Sequence, residues 1–98
     1  MIEQFAVCTY SSSLMVILTN TVFNDVESIL VAPIKQKHDE KLIKNLQISC
    51  VLGNNNYYVD LLDIATVSKR RLKLIPDYGL SKHRDEIKAA IDFLIDGF

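Results

Sequence analysis

The side chains able to do chemistry in this chain are few: His38 and His83, Arg70, Arg71 and Arg84, and the thiols Cys8 and Cys50. Metal-free cleavage of a phosphodiester needs a general base, an acid and a cation beside the phosphate. The histidines and arginines are the groups that would supply them. Their positions argue against it. His38 lies in the charged run Lys35 to Asn45 and reads as a solvated residue. His83 falls in the first turn of a helix, where its two readings are a local hydrogen bond and a catalytic group. Arg70 and Arg71 are adjacent, so on a strand they point to opposite faces and do not converge on one phosphate. Cys8 and Cys50 sit inside apolar runs and read as reduced, buried thiols. Two cysteines and two histidines at scattered positions do not make a zinc site. The sequence carries no phosphate loop and no nucleophile elbow. The residues argue against an enzyme, and no cofactor and no metal is expected.

The elements that must position these residues follow from composition and pattern. At 98 residues the chain predicts one domain, 1–98, with one core. About half of it is apolar (49%) and the net charge is −1, so no bulk electrostatic attraction draws it to nucleic acid. The apolar run Leu14–Leu18 is too short to cross a bilayer, and no basic segment precedes a cleavable apolar one. A cytoplasmic protein without membrane contact is expected.

Up to Pro76 the chain reads as β-rich. Phe5–Tyr10 has strand composition, Ser11–Ser13 a turn, and Leu14–Phe23 a second strand. Ser28–Ile34 reads as a third, with Pro33 at an edge or at the strand's end because it donates no hydrogen bond. Lys35–Asn45 is a charged loop. Leu46–Leu52 and Tyr57–Leu61 form a hairpin around Gly53-Asn-Asn-Asn56, where Gly and Asn tolerate positive φ. Asp63–Val67 leads into a basic strand, Ser68–Ile75, and Pro76–Gly79 turns into a helix. The expected fold is mainly β with a C-terminal helix: a small, partly open antiparallel barrel of about five or more strands.

The final segment, Ser81–Phe98, is the most informative. Ile87, Ala90, Ile91, Leu94, Ile95 and Phe98 recur at helical spacing as one apolar stripe. Ser81 is the expected N-cap, and Asp85 and Glu86 favour the positive end of the helix dipole. Phe93 falls on the far side of the stripe. A chain that stops without a polar tail usually has its end tied down or uses it.

Four blocks carry a resemblance to a known family: Phe5–Tyr10, Ile29–Ile34 with its strand-then-proline ending, Asp63–Val67, and Leu80-Ser-Lys-His-Arg-Asp-Glu-Ile-Lys-Ala-Ala-Ile91 with the closing Gly97-Phe98. Together they resemble the CcdB toxins, gyrase poisons of plasmid-type toxin–antitoxin pairs, from end to end. The resemblance implies an SH3-like barrel with a C-terminal helix, and a two-fold homodimer. It implies a CcdA-like cognate antitoxin whose disordered segment folds onto the toxin, with DNA contacted only through that complex, in repression of the operon. It implies the A subunit of DNA gyrase as target, trapped on cleaved DNA by a Trp-Gly-Ile helix end that stacks on an arginine.

Carried onto this chain, the gyrase-binding residues are Asp96, Gly97 and Phe98, flanked by Val22, Phe23 and Asp92. Gly97 matches the family. Phe98 replaces an aliphatic residue. Asp96 replaces the tryptophan, and the chain contains no tryptophan at all. Val22 and Phe23 read equally as ordinary strand core. A ribonuclease of the MazF type shares the barrel and is the alternative, but its glycine-rich N-terminal signature is missing. The remaining alternative is a homologue that binds antitoxin without poisoning gyrase. In the strip Lys69-Arg-Arg-Leu-Lys73, residues 69, 71 and 73 are expected on one strand face, solvated and blunting the edge, or receiving an acidic antitoxin segment.

Overall fold

The computed structural model describes residues 3–20, 26–39 and 41–97. Its strands are β1 (Ala6–Tyr10), β2 (Ser13–Ile17), β3 (Ser28–Gln36), β4 (Gln47–Leu52), β5 (Asn55–Asp60), β6 (Ala65–Ser68) and β7 (Lys73–Gly79), followed by the helix α1 (Arg84–Asp96). All pairings are antiparallel, in the order β4-β5-β3-β2-β1-β7 with β6 also on β3. The expected β-plus-helix fold is present: a sheet curled into a half-barrel, with one helix.

The curl is produced at β3. Ser28–Val31 pairs with β6 and Ile34–Gln36 pairs with β5, so one strand serves two partners along the same edge. Ala32 and Pro33 lie at the changeover, opposite neither β5 nor β6. Pro33 is therefore inside a strand rather than at an edge or end, because the changeover is where a missing N–H costs no ladder bond. Each sheet face buries its own cluster. Phe5, Val7, Val16, Ile34, Ile48, Cys50, Val59 and Leu61 pack under the helix with Ile87 and Ala90. Cys8, Ile17, Ile29, Val31 and Val67 form a smaller cluster. Each thiol is free, and burial pushes each up to about 11. Both are therefore protonated and inert at neutral pH.

Several boundaries differ from the sequence reading, each for a local reason. β2 ends at Ile17 instead of running to Phe23, and residues 21–25 lie outside the described ones. Lys35 and Gln36 belong to β3 instead of the charged loop, because β5 pairs with both. Leu61 leaves β5 for a 3-10 turn, Leu61–Asp63, capped by the side chain of Asp60. The expected basic strand is interrupted by a 3-10 turn at Lys69–Arg71, so residues 69, 71 and 73 do not share one strand face. Pro76–Gly79 is part of β7 rather than a turn. Its turn chemistry appears as a bulge, with Asp77 at φ 71° and a register shift between the Ala6 and Cys8 pairings. Pro76 is tolerated because β7 is the outer strand.

One buried carboxylate fastens the barrel beneath the helix. Asp60 is 6% exposed and accepts from Lys35 Nζ at 2.8 Å and from the Leu62 N–H at 3.1 Å. Lys35 also reaches Asp63 at 2.9 Å. Burial alone would push the Asp60 carboxyl up. The Lys35 and Leu62 hydrogen bonds outweigh it and hold the group below the ordinary aspartate value. A depressed folded value gives stability that is complete above the ordinary carboxylate range and is lost as pH falls through the lower folded value. Asp60→Ala is expected to cost about 2 kcal/mol at neutral pH. The gap between variant and parent should close in strong acid, which urea unfolding across a pH series measures.

Candidate functional site

The helix is entered through Leu80, which is fully buried and whose N–H donates to the Phe5 carbonyl at 2.8 Å. Ser81 opens a 3-10 turn, Ser81–His83, and caps nothing with its side chain, contrary to its expected N-cap role. The cause is register: α1 starts three residues later, at Arg84, after the turn has closed through the His83 N–H to the Leu80 carbonyl at 2.9 Å. His83 Nδ1 lies 2.8 Å from Glu86 Oε1 across one helical turn. Its local partner accounts for this histidine. His38 stands outside the barrel between β3 and β4, remote in sequence and element from it.

The apolar stripe is rotated from the expected one. Ile87 and Ala90 are buried, and Ile91 packs against the core. Phe93 is half-buried rather than on the far side. It lines a groove of about 540 Å³ with Ala89, Ala90 and Glu86 of α1 and Lys44, Asn45, Gln47, Ile48 and Ser49 of the facing strand and its lead-in. The stripe loses its cover in the last turn. Leu94 is 42% exposed and Ile95 is 74% exposed despite lying on the stripe. Ile95 is the most exposed of the large hydrophobic side chains among the described residues, so its apolar surface is left on the outside.

The end of the helix is built to present acid. Asp85, Asp92 and Asp96 are spaced seven and four residues apart and are all exposed, so they share the outward face of α1. No basic residue stands in the last turn. Asp96 therefore adds negative charge where the helix dipole is already negative, an arrangement that costs the helix stability unless a cation arrives from elsewhere. Among the described residues neither Asp92 nor Asp96 has an ion-pair partner. Gly97 takes the left-handed conformation at φ 79° and closes the helix by donating its N–H to the Phe93 carbonyl at 2.8 Å. A Cβ added there would meet nothing within 4 Å.

Of the residues expected to bind the target, Asp92, Asp96 and Gly97 thus cluster at one exposed tip with Leu94 and Ile95. Val22, Phe23 and Phe98 lie outside the described residues. The sequence reading missed Ile95 as a surface residue.

A second concavity collects the basic strip. Because Lys69–Arg71 is a 3-10 turn, Arg70 and Arg71 line the same cleft of about 420 Å³, with Lys73, Leu72 and the hydroxyls of Thr9, Ser11 and Ser12. The expectation that the two arginines point apart fails for that reason. Neither histidine reaches this cleft, and no carboxylate lines it, so it holds cations and hydroxyls without a general base. Among the described residues no three His, Cys, Asp or Glu side chains gather as metal ligands. No described helix is long and apolar enough to cross a membrane.

No curated protein matches the chain closely enough to count as a relative. A protein-family model does match: that of CcdB protein, over residues 4–97, nearly the whole sequence. The curled antiparallel half-barrel, the helix entered through Leu80 and the Gly97-capped helix tip all fall inside the matched span, and the chain belongs to the CcdB family, the toxins of toxin–antitoxin pairs.

Proposed function

We propose that residues 1–98 act as one toxin domain, a cytoplasmic, non-enzymatic homodimer that binds the A subunit of DNA gyrase through the tip of α1 and holds the enzyme on cleaved DNA. A CcdA-like antitoxin neutralises it. The observation that carries this reading is the helix end. Asp92 and Asp96 present uncompensated charge, Leu94 and Ile95 present apolar surface, and Gly97 leaves the backbone open to close approach. Such a tip fits an arginine set in an apolar surround. In this chain the cation is met by carboxylate rather than by an indole face, and an exposed carboxylate–guanidinium pair is worth under about 1 kcal/mol, less than a desolvated cation–π contact of about 2 kcal/mol. Val22, Phe23 and Phe98 complete the contact in this reading.

The replacement of tryptophan by Asp96 favours a second reading, in which the chain keeps the fold and the antitoxin but no longer poisons gyrase. One experiment separates the two. Purified protein is incubated with bacterial gyrase, supercoiled plasmid and ATP, then treated with detergent and protease. Linear DNA that disappears with Asp96→Ala supports the proposal. Folded dimer that yields none moves the protein to the second reading.

A further inference from the structure

Among the described residues the sheet has free edges at β4, β6 and β7, and two of them are blunted. β7 carries Lys73, Pro76 and the bulge at Asp77. β6 is four residues long and is closed by the basic turn Lys69–Arg71. Charge, proline, bulge and shortness are the usual devices against edge-to-edge pairing. β4 has none of them. Its six residues, Gln47-Ile-Ser-Cys-Val-Leu52, hold no charge, no proline and no glycine, and none takes positive φ. An uncharged, β-prone hexamer of this kind is the composition that pairs with another chain. The helix does not seal the edge. A groove of about 540 Å³ opens between Phe93, Ala89 and Glu86 on α1 and Gln47 and Ser49 on the strand.

The phase of the ladder decides which backbone groups this edge offers. The Leu61 N–H donates to the Leu46 carbonyl at 3.0 Å. Bonded and non-bonded pairs alternate along an antiparallel ladder. Carried through the β4–β5 register, that phase directs the backbone groups of Ile48, Cys50 and Leu52 at Val59, Tyr57 and Asn55. The Asn56 carbonyl agrees, since it accepts from the Lys37 N–H, on the side of β5 away from Val51. The N–H and C=O of Ser49 and Val51 therefore point away from the sheet. The Gln47 N–H is already used, donating to the Ile43 carbonyl at 3.0 Å. The side chains of Ser49 and Val51 are both exposed, Val51 by 51%.

These outward groups are symmetric about Cys50, and the symmetry selects the occupant. We infer that the β4 edge pairs antiparallel with the β4 edge of a second copy of this chain, with Cys50 at the two-fold axis. Ser49 then lies opposite Val51 of the second copy, and every outward donor and acceptor of both residues is met. Sliding the copy by two residues brings in Gln47, whose N–H is taken, or Gly53, which has left the strand for the turn at φ 62°. A two-fold contact demands such a self-match, and an uncharged strand opposes no like charges when it meets itself. A partner strand selected by charge would find nothing on this edge to read. One strand pair buries less than the roughly 1,200 Å² at the lower end of stable interfaces, so the association is weak and grows with concentration. It is separate from the homodimer proposed above. Where both contacts form, the edge joins dimers into tetramers or longer chains.

The test is light scattering after size exclusion over a series of protein concentrations. The mass of the parent should rise towards double its dilute value, whether the dilute unit is one chain or two. Val51→Pro removes an outward N–H and no ladder bond within the fold, so it should hold the dilute mass throughout with the melting temperature retained. Val51→Lys, which sets a charge on the edge, should do the same if the proline variant folds poorly. The register is read by cysteine pairing at these exposed positions. Ser49→Cys and Val51→Cys proteins, mixed and oxidised with copper phenanthroline, should give a covalent dimer on a non-reducing gel. Opposed residues of a bonded pair lie about 5.5 Å apart, within disulfide reach. Either protein alone should give several-fold less. Asp96→Ala should leave the mass series unchanged, and the Val51 variants should leave gyrase linearisation by dilute protein unchanged, so the edge and the helix tip fail separately. A parent mass constant with concentration, a mass rise that survives both Val51 variants, or equal cross-linking in single and mixed samples would each overturn the assignment.

Discussion

Asp96→Trp is expected to raise gyrase-dependent linearisation of supercoiled plasmid by about tenfold or more over the parent protein. Asp96 is exposed at the last helical position, so an indole fits without displacing a core residue. Two changes act together. The substitution removes a carboxylate from the negative end of the helix dipole, worth about 0.5 kcal/mol of helix stability at an exposed site. It also supplies a flat π-face to a target arginine, worth about 2 kcal/mol once water is excluded. Since about 1.4 kcal/mol is a factor of ten, the second effect dominates, and it reads out in target trapping rather than in folding. The melting temperature should move by only a few degrees. If linear product stays at the parent level while the variant is folded, the helix tip is not the gyrase contact, and the family's mode of action does not extend to this chain.

Added salt separates charge from stacking at the same position. Were Asp96 working through a guanidinium pair, the parent's activity would fall with added salt, whereas the Asp96→Trp variant's would not, because cation–π contacts at a desolvated face are screened far less than exposed ion pairs. Salt dependence is therefore the control that shows which chemistry each version uses.

The architecture was legible because its signals were redundant. Gly53 and Asn54 make the β4–β5 turn, and Gly53 at φ 62° also leaves room for Tyr78, whose hydroxyl would lie 3.0 Å from an added Cβ. The alternation of Ile48, Cys50 and Leu52 against exposed Ser49 and Val51 sets one face of β4. What failed were positions where tertiary pairing decides between two local readings. Pro33 marks a strand end in most settings, and here it marks a change of partners inside one strand. Pro76-Asp77 is turn chemistry that β1 captured as a bulge. The 3-10 turn at Lys69–Arg71 has no composition that distinguishes it from a basic strand. It is set by the Lys69 N–H donating to the Glu27 carbonyl at 2.8 Å, a contact across forty-odd residues of chain that no local pattern encodes. That hidden turn is also why the cationic cleft escaped a reading made residue by residue. The acidic helix tip was legible as composition, while its exposure depended on tertiary packing that the helical spacing alone does not encode.

Ile87→Ala is expected to be the most destabilising single change in the helix, by about 3 kcal/mol. Ile87 is fully buried, and it enters the main cluster with Leu80, Ala90, Val59 and Leu61. It is the one large side chain of α1 with no exposed surface, since Ile91 and Phe93 are half-buried and Leu94 and Ile95 face outward. Neighbouring residues are fixed by the sheet and collapse poorly into the space left, so the cavity adds to the lost transfer energy. At roughly 5 °C per kcal/mol for a domain of this size, the melting temperature should fall by about 15 °C. The functional consequence differs from that of Asp96. Loss of Ile87 loosens the anchor of the whole helix, so target binding should decline near the new melting temperature and recover on cooling. Asp96 substitutions should alter target binding at every temperature. A fall in melting temperature of less than a few degrees would mean that α1 is held by the Leu80 entry and the Phe93 groove rather than by its buried face.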